Sequence, residues 1–291
     1  MHRFDYYKPK SVAEAVALLR EKGEGGKVLG GGTDLVPAMK ERGRHPKYIV
    51  SIGNIDEMKG IRFAEGTGLR IGAVTKMMAV YENPVVQQRF NVLAQGAKLI
   101  GSMQTMNLAT VGGNICNAAP SADAVPAFIV MDSVATIVGP NGSRQLPLKD
   151  VFQGPGQTVL TANEILTEVT VPTPAPRSAG VYVRHVPRKE LDIAVAGVGV
   201  FITLNESLNS ITHARVCLSS VHPVPLRVTK AEEALVGQAP GEQLFERAGQ
   251  IASEECRPIS DVRGSADFRR HLIRVLTQRT LTQAVEQIKS R

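Results

Sequence analysis

The sequence is short of cysteine, shorter still of aromatic residues, and has no tryptophan. Its three cysteines, Cys116, Cys217 and Cys256, are far apart and odd in number, which excludes a disulfide framework and a C-x-x-C metal site. At least two of them are expected to be buried or incidental thiols, and for Cys116 a small buried residue is the favoured reading. An iron-sulfur centre needs four clustered cysteines, so any such cluster must sit on another polypeptide. No apolar run approaches the roughly 20 residues that span a bilayer. Residues 1–10 lack the apolar core and small-residue cleavage site of a secretory signal. The expectation is a cytoplasmic protein without a membrane span. The net charge of +7 is spread along the chain rather than grouped, and aromatics make up only 4% of it. Nucleic-acid binding, which needs a basic face and stacking platforms, is therefore not expected. The charge reads as solvated surface or as a docking face for an acidic partner. No Ser/His/Asp set and no metal-ligand spacing is found, so neither a catalytic acid-base group nor a metal site is assigned.

What is present is length and pattern. The 291 residues suffice for two or three modest cores. Ser11 with Glu14 three residues on is a capping-box pattern ahead of the apolar stripe of residues 12–19, and predicts a helix that ends at Gly23, Gly25 and Gly26. A strand at 27–29, a glycine loop, a short helix at 35–41 and a strand at 48–52 follow. The alternation between 61 and 74, around Gly66 and Gly68, predicts a hairpin, and residues 84–100 have helical spacing. The segment 101–126 is dense in Gly, Asn, Ser and Ala without a clean period, and is read as a structured loop with a functional reason to exist. Strands are expected at 135–138, ahead of a tight turn at Gly139-Pro140-Asn141-Gly142, and at 164–171. Pro172, Pro174 and Pro176 mark a linker. Beyond it the pattern gives strands at 195–204 and 211–219 and helices at 228–236, 243–256 and 265–289. The fold class is α+β.

Two constellations carry chemistry. Leu29-Gly30-Gly31-Gly32-Thr33-Asp34-Leu35 follows a predicted strand; its glycines let backbone amides converge on an anion, and the threonine hydroxyl adds a donor suited to a phosphate. It is neither a GxGxxG turn nor a P-loop. A tight strand-to-helix connection would use the same residues. The second is Thr110-Val111-Gly112-Gly113-Asn114-Ile115-Cys116-Asn117, followed by Ser121 and Asp123, where paired glycines permit close approach and the polar side chains can meet a sugar or ring edge. Two such segments together point to an extended phosphate-bearing ligand with a heterocycle.

These motifs, with Met39-Lys40, Phe152-Gln153-Gly154-Pro155-Gly156, Glu164-Ile165-Leu166, and the stretch from Tyr182-Val183-Arg184 to Asp192-Ile193-Ala194, closely resemble the FAD-binding subunits of xanthine dehydrogenase and carbon monoxide dehydrogenase. The resemblance spans nearly the whole chain. It implies a bipartite, PCMH-type FAD-binding domain over residues 1–175, with α/β lobes of about 1–53 and 54–175. A C-terminal domain of a small antiparallel sheet with helices follows over 177–291. It also implies that both glycine segments hold the FAD pyrophosphate, that Asp123 and its neighbours lie near the adenosine, and that Ile165 or Leu166 packs near the cofactor. Arg184 would lie near the flavin ring, where a cation stabilises reduced flavin. The alternative for Arg184 and Arg188 is an ion pair at the surface or at a domain interface, and His185 is read as structural. A further implication is a heterotrimer, commonly doubled, in which a large molybdopterin-binding subunit oxidises the substrate and a small subunit carries two [2Fe-2S] clusters. This chain would then pass electrons to NAD+ or another acceptor, with a purine or other N-heterocycle as substrate. The relative that carries an extra iron-sulfur cluster in its flavin subunit, 4-hydroxybenzoyl-CoA reductase, is disfavoured by the missing cysteines. A stand-alone flavin oxidoreductase of related fold is the alternative, and a flavin-free binding protein on the same scaffold is a third.

Overall fold

The computed structural model describes residues 2–188 and 191–291. The chain begins with β1 (Asp5–Tyr7), α1 (Val12–Lys22), β2 (Gly26–Leu29), α2 (Leu35–Glu41) and β3 (Tyr48–Ser51). Ser11 caps α1 by accepting the Glu14 amide, while the Glu14 carboxylate takes the Lys10 amide at 2.7 Å. The stripe Ala15, Val16 and Leu19 is buried. The strands form a parallel sheet in the order β1-β3-β2. The glycine loop therefore leaves the carboxyl end of a parallel strand, the edge at which open α/β sheets gather ligands.

A second unit follows: β4 (Ile61–Ala64), β5 (Gly68–Gly72), α3 (Met77–Glu82), α4 (Pro84–Arg89), α5 (Asn91–Lys98), α6 (Met103–Leu108), α7 (Val111–Asn117) and α8 (Ala124–Val130). It closes with β6 (Val134–Gly139), β7 (Gly142–Pro147), β8 (Phe152–Gly154), β9 (Gln157–Thr158) and β10 (Ile165–Val171). Its main sheet is antiparallel, ordered β4-β5-β10-β6-β7. Two expectations need correction here. The helical run 84–100 is two helices, broken where Phe90 (φ −127°, ψ 39°) turns its ring into the core, edge-on to Phe63 with centroids 5.8 Å apart. The supposed loop 101–126 contains α6, α7 and the first three residues of α8. Helices α6 and α7 have six and seven residues, too short to display a period, and every residue of α8 is buried, so it lacks the polar face that would have revealed it.

Past the prolines come β11 (Ser178–His185), β12 (Ala196–Leu204), β13 (Ile211–Ser219) and β14 (Leu226–Arg227), then α9 (Thr229–Leu235), α10 (Glu242–Glu255) and α11 (Ala266–Lys289). Strand β11 did not figure among the expected strands; it pairs along its whole length with β12, from Ser178↔Thr203 to His185↔Ala196. The antiparallel sheet runs β11-β12-β13-β14. Its strand β12 is buried at every position, because α11 packs on one face and α8 of the preceding unit on the other, while α9 extends the first layer over β13 and α5 the second over β11. Each fully buried Val or Ile there is worth about 1.5–3 kcal/mol. Tyr182, Phe201 and Cys217 pack into the core of the preceding unit, so the seam between units is apolar. A charged cluster pins the same seam. Asp132, just past α8, accepts from Arg215 Nε and Arg227 Nη1, each at 2.8 Å, and Arg227 also grips the buried Glu232. Among the described residues no helix is long and apolar enough to cross a membrane.

Candidate functional site

The glycine loop and α7 face each other across a cleft. Gly31 lies so close to the α6–α7 connection that a methyl group on it would stand 2.0 Å from the Leu108 carbonyl oxygen. A methyl on Gly30 would meet Thr110 Oγ1 at 2.8 Å. Gly32 adopts φ 79°, a left-handed conformation that turns the loop back toward α2. Among the described residues, the amides of Gly31, Gly32, Thr33 and Asp34 donate to no protein acceptor. Four successive amides without internal partners form an anion-binding concavity. The 108–110 backbone is braced from behind by Lys76, whose Nζ donates to Leu108 O at 3.0 Å.

The second glycine pair works differently. Thr110 caps α7, its Oγ1 accepting the Gly113 amide at 3.1 Å. The Val111 amide goes to Thr75 O, that of Gly112 to Ala73 O, and that of Asn114 to Thr110 O. These amides are all spoken for. Gly112 is needed for packing, since a methyl there would lie 2.7 Å from the Ala73 methyl. What α7 presents to the cleft is side chains: Asn114, Cys116 and Asn117. The Asn114 Oδ1 is buried and has no hydrogen-bond partner.

Two cavities, of about 490 and 420 Å³, meet along this seam and share Lys27, Val28, Gly30, Thr110, Gly113 and Cys116. The larger is lined by Leu29 to Leu35, Thr110, Gly113, Asn114, Cys116, Asn117, Asp123 and Arg184. Ile165 and Leu166 line the smaller, with Gly112. Sequence reasoning missed other walls of the larger cavity: Arg44, the turn at Leu99 to Gly101, Thr105, and Leu191 with Ile193. Arg44 sits in an ordinary-looking basic loop and carries no local signal. Cys116 also departs from expectation, because it opens on the cleft rather than being buried like Cys217 and Cys256. The protein crowding the cleft floor nevertheless desolvates the thiol and pushes it up to about 12, so it is no ready thiolate.

Asp123 and Arg184 form one ion pair, both side chains nearly inaccessible. The carboxylate also accepts the Tyr182 hydroxyl at 2.9 Å. Burial outweighs Arg184 and Tyr182, and pushes the Asp123 carboxyl up to about 6. Both readings of Arg184 thus meet, since it lines the cleft and is also an inter-unit ion pair. Arg188 has an exposed side chain and pairs locally with Asp192 at 3.1 Å. The contact between Asp123 and Arg184 also means that they cannot mark opposite ends of a ligand.

Residues 2–174 match the family described as FAD binding domain in molybdopterin dehydrogenase, and residues 181–284 match CO dehydrogenase flavoprotein C-terminal domain. The chain belongs to this flavoprotein family. It is 36% identical to the carbon monoxide dehydrogenase medium chain of Hydrogenophaga pseudoflava, over 97% of each chain. It is 31% identical to the putative xanthine dehydrogenase FAD-binding subunit of Escherichia coli K12, over 96% of this chain and 95% of that one. The solved carbon monoxide dehydrogenase from H. pseudoflava that lacks the Mo-pyranopterin moiety superposes with a TM-score of 0.93 at 37% identity, covering 97% of both chains. As a family member the chain is an oxidoreductase flavoprotein. Its residues fit FAD: unpartnered amides for a pyrophosphate, an orphaned Asn114 oxygen, and two joined cavities for the two ends of a dinucleotide.

Proposed function

We propose that the chain is the medium, FAD-carrying member of a three-subunit molybdenum hydroxylase and serves as its electron exit. The observation that carries the proposal is the row of unpartnered amides from Gly31 to Asp34, which lines the larger cavity directly after Gly30, a residue that both cavities share. The pyrophosphate would lie on that row, with the Thr33 hydroxyl as a further donor. The floor is α7, contributing Asn114, Cys116 and Asn117 side chains in place of amides. The adenosine would enter the smaller cavity, against Ile165 and Leu166. The flavin ring would take the larger one, beside Arg184 and Asp123, where a guanidinium favours the reduced, anionic form.

Bound there, FAD supplies the ability to accept electrons one at a time and to release them as a pair. The chain's own residues bind, orient and shield. Leu191 and Ile193 line the cavity from the C-terminal side, where their apolar side chains would shield the ring. The electrons would come from two [2Fe-2S] clusters on a small subunit, after substrate oxidation at a molybdenum cofactor on a large subunit, and would leave to NAD+ or another acceptor. Residues of this chain then select the acceptor rather than the substrate. Native purification through a tag on this chain tests the reading. Flavin and iron-sulfur absorbance with two accompanying polypeptides is expected. A single colourless chain that fails to bind added FAD overturns it.

A further inference from the structure

The polar contacts at the inner end of the cleft come mostly from outside the FAD-binding unit. Asp123 stands directly before α8, where an aspartate would ordinarily cap the helix, but its side chain makes no capping bond. It is turned instead toward the C-terminal sheet. Tyr182 and Arg184 are two residues apart on β11 and so share a face. The Tyr182 hydroxyl reaches Asp123 Oδ1 at 2.9 Å and the Ser219 hydroxyl at 3.1 Å, and Arg184 takes Asp123 Oδ2. Gly197 on β12 lies between, opposite both Arg184 and Ser219. A methyl group there would stand 2.4 Å from Ser219 Oγ and 2.6 Å from the Tyr182 oxygen. The space in which these hydroxyls meet exists only because residue 197 is glycine. Tyr182 and Ser219 themselves lie outside the cleft wall.

We propose that Tyr182 is a positioning residue of the flavin site: its hydroxyl fixes the Asp123 carboxylate, and the carboxylate holds Arg184 in the cleft. The proposal rests on the reading that this cleft holds FAD. Burial and the Asp123 charge push the Tyr182 phenol well above its ordinary value, so it remains a donor. The carboxylate, desolvated and pushed up to about 6, depends on both of its donors to stay charged at neutral pH. Protonating Asp123 removes the counterion of Arg184 and weakens the bond that Tyr182 donates, since a neutral carboxyl is the poorer acceptor. The flavin would then face an unanchored guanidinium.

Among the described residues, the other ionisable groups around the cleft are Lys27, Asp34, Arg44, Cys116 and Asp192 in the larger cavity, with Glu164 in the smaller. Asp192 is held down by Arg188, and Cys116 is pushed far up by burial. His185 follows Arg184 along β11. Its ring packs edge-on against Phe268 at 5.7 Å rather than against Asp123.

The test is potentiometric titration of FAD bound to the full-length chain between pH 5 and 8.5. The unmodified chain should show a break in midpoint potential near pH 6. A hydrogen bond to a charged group is worth about one to two pH units, so Tyr182→Phe should move the break up to roughly 7–8. Ser219→Ala should move it in the same direction by less, Asp123→Asn should abolish it, and His185→Gln should leave it in place. Should Tyr182→Phe fail to fold, Ser219→Ala carries the same prediction. An unmoved break in both hydroxyl variants, or a break that follows His185→Gln, overturns the positioning assignment while leaving FAD binding intact. An unmodified chain that binds no FAD overturns the site reading, and the assignment falls with it.

Discussion

Replacing Gly31 by alanine tests the cleft at its tightest point. The added methyl would lie 2.0 Å from Leu108 O, 2.8 Å from its carbonyl carbon and 3.0 Å from Ala109 Cα. Ordinary contact begins at 3.4 Å, so loop and connection must separate by about 1.4 Å, the difference between 3.4 and 2.0. The obstacle is backbone held by the Lys76 bond and by the capped start of α7, so no side-chain rotation relieves it. Overpacking of this kind costs about 1–3 kcal/mol. At roughly 2–4 °C per kcal/mol for a chain of this size, the Tm should fall by roughly 2–12 °C. The same displacement opens the row of amides, so FAD content per chain should fall with it. Gly66→Ala is the control, because a methyl there meets nothing within 4 Å. Measurement is by thermal unfolding and by flavin released on denaturation. A Gly31→Ala chain with the Tm and FAD content of Gly66→Ala would refute the packing argument and the assignment of the loop together.

Glu232→Ala should destabilise the full chain by about 1–3 kcal/mol in urea unfolding, because it leaves the Val216 amide, which donates to Glu232 at 3.0 Å, without an acceptor and leaves the part-buried Arg227 with Asp132 as its remaining carboxylate partner. Glu164 is held at about 2, chiefly by its hydrogen bonds from Arg144. A depressed carboxylate stabilises the fold above its unfolded value near 4.3 and loses that contribution as pH falls toward 2. The half-exposed Arg144 limits the effect, so Arg144→Ala should cost about 1 kcal/mol or less at pH 6, with a gap to the unmodified chain that narrows by pH 3. Cys116 alone among the three thiols should react with maleimide in the folded chain, slowly at pH 7 because its thiol is pushed up to about 12, and bound FAD should protect it. Fast labelling of Cys217 or Cys256 before unfolding would contradict their burial.

The linear pattern of residues was enough to place most elements. Ser11 with Glu14 and the alternation around Gly66 and Gly68 are local signals, and the capped helix and the hairpin stand where they indicated. The glycine loop at 30–32 was legible for the same reason, as a strand-to-helix connection whose three residues without side chains suit an anion as well as a tight turn. Helix α8 left no such trace, since a helix buried on all sides loses the polar face on which periodicity depends.

Tertiary structure decided what local chemistry could not. The two glycine segments look equivalent in sequence, yet among the described residues only the first keeps its amides free; those of the second are consumed by Thr110 within the segment and by Ala73 and Thr75, from a turn that comes near only when the chain has folded. Asp123 and Arg184 are 61 residues apart, and their meeting depends on α8 packing against a sheet built after the proline linker. Which polar groups face one another across a cleft is set by long-range packing. The sequence by itself determined the parts and the ligand class they suit, and the fold decided which of those parts face the cleft.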